Sequence, residues 1–166
     1  MNLPLLRYTF EANALQKAST LQRLIGGWTL GDDSGLEVDA LKGAPGVFSA
    51  RYSGSPGRGP ERDQANYQKL LDELREVPDE MRTARFVCAI AMPGPGGVLI
   101  TSRGTCEGRI VRAPRGAGGF GYDPVFIADG YDRTMAQLSM DEMNRISHRG
   151  RALGALVQKL KNPGAE

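Results

Sequence analysis

An α/β fold built on a mixed sheet is what the sequence predicts, and two patterns carry that reading. Helical and strand periodicities intermingle along the chain instead of segregating into blocks. One segment, Arg85–Met92, is apolar on both faces, as a covered central strand must be. A length of 166 residues suits one domain, 1–166, and 40% hydrophobic with 24% charged residues excludes disorder as the main state.

The first element is a helix over Glu11–Ile25, with Ala14, Leu15, Ala18, Leu21 and Ile25 at helical spacing and Thr9 as its cap. Gly26-Gly27 ends it. A short strand at Trp28–Leu30 leads into Gly31-Asp-Asp-Ser-Gly35, and Leu36–Leu41 alternates as a half-buried strand. Gly43–Pro60 is a Gly/Pro/Ser-rich loop, followed by a helix over Glu61–Val77 that Pro78 closes. Arg85–Met92 and Val98–Arg103 are strands around the Pro93-Gly-Pro-Gly-Gly97 turn, with a further strand near Cys106–Val111. A glycine loop, Arg115 to Phe126, runs into another strand. Ser139-x-x-Glu142 is a capping box, and Ser147-His-Arg-Gly150 interrupts a helix that resumes over Arg151–Lys161.

Several function classes drop out on composition. A net charge of +2, dispersed along the chain, gives no nucleic-acid or membrane surface. Two cysteines, Cys88 and Cys106, make neither a disulfide framework nor a zinc spacing. The first ten residues lack a signal-peptide h-region, and the uncharged stretch Phe86–Ser102 is broken by its Pro/Gly turn. A cytoplasmic protein is the expectation. The 22 glycines are the outlier, and without a period they mark tight turns and close backbone approaches.

Three clusters share a grammar of polar residues beside glycine. Asp32-Asp33-Ser34-Gly35 offers hard oxygen donors suited to Mg²⁺, or simply an acidic turn. Gly118-Gly-Phe-Gly-Tyr-Asp-Pro124 offers flat faces at Phe120 and Tyr122 and an acceptor at Asp123, or simply a glycine bulge before a strand. Ser147-His148-Arg149-Gly150 offers a cation and amides at a helix start, or simply a cap.

Taken in order, these clusters resemble the inosine triphosphate pyrophosphatase family, which acts on non-canonical purine nucleoside triphosphates. The residues that carry the resemblance are Asp32-Asp-Ser-Gly-Leu-Glu-Val-Asp39, Gly43-Ala-Pro-Gly-Val-Phe-Ser-Ala-Arg-Tyr-Ser-Gly54, Gly118-Gly-Phe-Gly-Tyr-Asp-Pro-Val-Phe126 and Ile146-Ser-His-Arg-Gly-Arg-Ala-Leu153. Asn13-Ala14, Lys17-Ala18 and Lys69-Leu-Leu71 match as well. The resemblance implies a mixed central sheet with helices on both faces, an elongated two-lobed outline and a homodimer. It implies hydrolysis of dITP, ITP and XTP to the monophosphate and pyrophosphate with Mg²⁺ as cofactor. Asp33 would be the general base and, with Asp32, the metal ligand. Ser34 would bond the substrate, Phe120 would stack on the purine, Gly121, Tyr122 and Asp123 would shape its pocket, and His148 and Arg149 would read the 6-oxo group.

The chain also departs from the family pattern. A strand and a Thr/Ser-x-Asn-x-x-Lys loop that grips the triphosphate are expected ahead of Thr9, and this sequence contains neither. Ala12 stands where the family has a Glu near the metal, and Met143 stands where it has a Lys. Such losses near Mg²⁺ and phosphate each weaken transition-state stabilisation by roughly 1–4 kcal/mol. The alternative they raise is a weakly active or inactive nucleotide-binding relative. A vacant sheet position would further leave an exposed edge or apolar scar beside Trp28–Leu30.

Overall fold

The computed structural model of the chain describes residues 9–163. The expectation of a strand and loop ahead of Thr9 lies outside the described residues. The elements run α1 (Phe10–Ile25), β1 (Gly31–Val38), α2 (Pro60–Glu73), β2 (Thr83–Pro93), β3 (Leu99–Ile110), β4 (Phe126–Ala128), α3 (Met140–Ile146) and α4 (His148–Lys161). The four strands form an antiparallel sheet in the order β1-β2-β3-β4, with Arg109 opposite Ile127 in the β3–β4 register. The α/β class therefore holds, and β2 is a central strand buried along most of its length, as its two apolar faces require.

Two compact units share the chain. The first contains the residues up to Ser34, Val87–Thr105 and those from His148 onward; the second contains Gly35–Phe86 and Cys106–Ser147. β1, β2 and β3 each begin in one unit and end in the other.

In the first unit α1 is capped by Thr9, whose hydroxyl accepts from the Ala12 amide, and Gly26 ends it at φ +71°. Ala14 and Ala18, both fully buried, let the backbone of β1 come close at Gly31. Cys88, Ile90, Ala152 and Leu156 form this unit's core, and the Ser102 hydroxyl donates to the Ala152 carbonyl at 2.8 Å. Gly104 lies directly under the start of α4: a Cβ there would sit 2.2 Å from the His148 carbonyl oxygen. That bare patch of β3 seats the Ser-His-Arg-Gly segment.

The second unit holds the larger core, from Leu36 and Val38 through Leu70, Leu74, Phe86, Ile110, Val125 and Phe126. Phe86 and Phe126 rings meet at 4.5 Å in a tilted pair. Arg82 is buried here, its guanidinium donating to the Leu74, Ile110 and Val111 carbonyls. α3 opens on the expected capping box, with Ser139 and Glu142 exchanging both bonds.

Several boundaries differ from the sequence reading. The strand read over Leu36–Leu41 ends at Val38, where Asp39–Leu41 winds into a 3-10 turn, and the last helix starts at His148 and not at Arg151. The segment Asp32–Gly35 is the body of β1 and not a turn between two strands, because Gly31 docks on α1 and carries the extended backbone straight through. Trp28–Leu30 is not a strand, though the Thr29 amide still reaches the Pro93 carbonyl. The strands read separately around Gly104 are one, β3, since the glycine marks a close approach and not a break. α2 stops at Glu73, where Arg82 captures the next carbonyl, that of Leu74. Among the described strands β1 stands at one end of the order, and Leu24, Ile25, Trp28 and Leu30 are exposed.

Candidate active site

In the first unit, α1 and α4 bring one cation each against the acidic pair of β1. Lys17 Nζ donates to Asp33 Oδ1 at 2.8 Å and to the Asp32 carbonyl at 2.9 Å. Asn13 Nδ2 donates to Asp33 Oδ2 at 3.0 Å. Both carboxylate oxygens of Asp33 are thus held, and its side chain is only 16% exposed. Asn13 and Lys17 stand four residues apart, so they share one helix face beside the buried alanines. The Asp32 carboxylate points elsewhere and accepts from Arg149 Nη2 at 3.0 Å. Adjacent residues of a strand face opposite ways, so the two carboxylates take different cations.

Ser34 lies beside the buried Cys88 thiol, whose pKa is raised chiefly by burial while the Ser34 hydrogen bond opposes. His148, the first residue of α4, has its pKa pushed down to about 4, first by burial and then by the charge of Arg149, with Asp32 opposing. The neutral imidazole favoured at pH 7 presents one N–H donor and one acceptor nitrogen.

In the second unit, the glycine loop is clamped by carboxylates. The Phe120 amide donates to Asp123 Oδ2 at 3.0 Å, and the Gly121 amide to Asp63 Oδ2 at 2.9 Å. Gly119 and Gly121 take φ of +70° and +61°, and a Cβ on Gly119 would meet the Asp123 carboxylate at 2.2 Å. Phe120 is 71% exposed, an open aromatic face. Tyr122 differs from the expectation of a second open face. Its ring is buried in the core and its hydroxyl donates to the Ser49 carbonyl at 2.8 Å, a bond that lets the phenol go inward with its polar atom satisfied. Asp123 is buried, and that burial pushes its pKa up to about 6, the Phe120 amide opposing and the charge of Asp63 adding.

The structure therefore gathers Asp32, Asp33, Ser34, His148 and Arg149 in one unit and Phe120, Gly121, Tyr122 and Asp123 in the other. Asn13, Lys17 and Asp63 carry bonds to these residues that sequence reasoning did not assign. The available signal was polar residues at i and i+4 flanking a small-residue helix stripe, for Asn13 and Lys17; nothing local marked Asp63. Ala12 is half-buried on α1, Glu11 is engaged by Arg103 at 2.6 Å, and Met143 packs its side chain on the second unit's core.

An α/β protein with hard-oxygen donors, fixed cations and a clamped, exposed aromatic belongs to the class that handles phosphorylated ligands bearing a planar base. Residues 6–159 match the model of the Ham1 family, and the chain belongs to that family. It is 51% identical over 154 residues to the dITP/XTP pyrophosphatase of Bacillus cereus, covering 92% of this chain and 73% of that protein. It is 52% identical over 158 residues to the protein of the same name from Geobacter sulfurreducens, covering 95% and 77%. The Ham1 protein structure from Staphylococcus aureus superposes with a TM-score of 0.88 at 40% identity, covering 98% of this chain and 82% of that one.

Proposed function

We propose that this chain hydrolyses non-canonical purine nucleoside triphosphates such as dITP, ITP and XTP to the monophosphate and pyrophosphate. The observation that supports it most is the Asp33 carboxylate held on both oxygens by Lys17 and Asn13. A carboxylate fixed in that way can orient a water and take its proton while the neighbouring ammonium attracts phosphate oxygens. Lys17 supplies positive charge where negative charge develops on the phosphates. Ser34 offers a hydroxyl to the substrate.

Mg²⁺ is the cofactor of this reading, and the donor set suits it. Asp33 gives a hard oxygen ligand, and the buried Asn13 Oδ1 beside it lacks a hydrogen-bond partner among the described residues. Asp32 faces the other way, toward Arg149. When bound, such an ion neutralises phosphate charge.

Base selection follows from donors. A neutral His148 N–H and the Arg149 guanidinium match a 6-oxo group, whereas the 6-amino group of adenine would set donor against donor and cost a few kcal/mol. Phe120 provides the stacking face, and Gly121, Tyr122 and Asp123 hold its loop. A homodimer in the cytoplasm completes the proposal; no helix among the described residues is long and apolar enough to cross a membrane.

The test is pyrophosphate release from dITP with Mg²⁺, with dATP as the competing substrate, for the native chain and Asp33→Asn. Turnover of dITP in preference to dATP that disappears in Asp33→Asn is the expected result. Tight dITP binding with no turnover in the native chain would instead support a non-catalytic nucleotide-binding relative.

A further inference from the structure

The glycine loop is held in a way the motifs do not reveal. Phe120 sits between two peptide planes, and each is pinned through its N–H: the Gly119–Phe120 plane by Asp123 and the Phe120–Gly121 plane by Asp63. Fixing both planes fixes the backbone torsions of Phe120, and with them the direction in which its ring leaves the loop. The flanking glycines, both at positive φ, would otherwise let that direction wander. Asp123 is a neighbour in sequence, but Asp63 reaches in from the first turn of α2, 58 residues away.

α2 is itself tied to the same region. Asn66, buried and one turn further along, donates to the Ser49 and Ala50 carbonyls and accepts from the Ser53 amide. The Ser49 carbonyl also receives the Tyr122 hydroxyl. Asp63 thus stands on a helix tied to the same Ser49–Ser53 segment on which Tyr122 of the braced loop docks. Ordering an exposed aromatic costs conformational entropy, and within the described structure its ring gains little burial in return. Pre-organisation for a ligand is the function that such ordering serves.

We propose that Asp63, which lies outside the motifs carrying the resemblance, is a positioning residue that holds Phe120 as a preformed platform for the purine. The proposal rests on the reading of Phe120 as the stacking face. Asp63 never touches substrate; it acts by keeping the Phe120–Gly121 peptide plane in place. Losing that bond returns freedom to the loop, which substrate binding must then remove, so the effect falls on KM.

The experiment is steady-state dITP hydrolysis by the full chain with Mg²⁺, for the native protein, Asp63→Ala, Asp63→Asn, Phe120→Ala and the Asp63→Ala/Phe120→Ala double variant. Asp63→Ala should raise KM about tenfold with kcat nearly unchanged. Asp63→Asn should recover most of that loss, since its amide oxygen still accepts from Gly121. In the Phe120→Ala background, Asp63→Ala should add nothing further. Full additivity, a loss confined to kcat, or no rescue by Asn would overturn the proposal while leaving the Phe120 reading intact. An unchanged KM in Phe120→Ala alone would sink the stacking reading and the proposal with it. Circular dichroism checks folding, and should Asp63→Ala not fold, Asp63→Ser is judged by the same criteria.

Discussion

Gly31→Ala is the sharpest test of how the fold places its acidic centre. The added methyl would lie 2.5 Å from the Ala14 carbonyl oxygen and 2.8 Å from the Ala18 amide nitrogen, both backbone atoms of α1 that no rotamer change can move. Ordinary contact begins near 3.4 Å, so helix and strand must part by about 0.9 Å. Gly31 and Asp33 share one face of β1, and the same separation would stretch the 2.8 Å Lys17–Asp33 bond to about 3.7 Å, beyond hydrogen-bond reach. Overpacking of this kind costs roughly 1–3 kcal/mol in stability. A misplacement near 1 Å costs about 10²-fold in rate. Urea denaturation reads the first quantity and kcat/KM for dITP the second. Gly154→Ala is the control: nothing lies within 4 Å of its new methyl in α4, so stability should stay or rise by up to about 1 kcal/mol. A Gly31→Ala protein with native stability and native kcat/KM would refute the reasoning, because the close approach would then position nothing.

Three further substitutions probe other parts of the structure. Arg82→Met should destabilise by roughly 2–4 kcal/mol in urea, since three carbonyls lose their buried donor; a change within error would show that water replaces the guanidinium. Asp123→Asn should alter the pH dependence of the melting temperature. The native carboxyl, raised from 3.8 to about 6, keeps a proton in the fold that the unfolded chain has already released, so native stability falls as pH rises through that window, by about 3 kcal/mol at most. The amide carries no such penalty and still accepts from Phe120, so the variant should melt higher than the native chain at pH 8, with the gap closing toward pH 4. A pH-independent difference would contradict the buried-carboxyl account. Ser139→Ala should lower stability by about 1 kcal/mol through loss of the bond to the Glu142 amide, and an unchanged melt would mean that Arg133, bonded to Glu142 at 2.7 Å, holds the start of α3 unaided.

Local chemistry was legible in the chain, and elements that depend on it came out as read. α1 begins at a threonine cap and stops at a glycine pair. α3 begins at its capping box, and the Pro/Gly turn joins β2 to β3. Each is decided by a few adjacent side chains meeting their own backbone. The candidate residues at Asp32–Ser34, Phe120–Asp123 and His148–Arg149 were also visible, because motif spacing survives without coordinates.

What the tertiary structure alone decided is which of these groups meet. Asp33 is bonded by residues 16 and 20 positions away, Asp32 by one 117 positions away, and Gly121 by one 58 positions away. No local periodicity encodes such partners. The same holds for the errors. Asp-Asp-Ser-Gly and Arg-Gly-Thr read as breaks because glycine usually loosens a strand, yet Gly31 and Gly104 are where helices lie on it. Tyr122 read as a second open face beside Phe120, and the core of the second unit claimed it. Turns and caps are settled by neighbours in sequence. Close approaches, ion pairs and the inward or outward fate of a ring are settled by distant backbone, which only packing brings near.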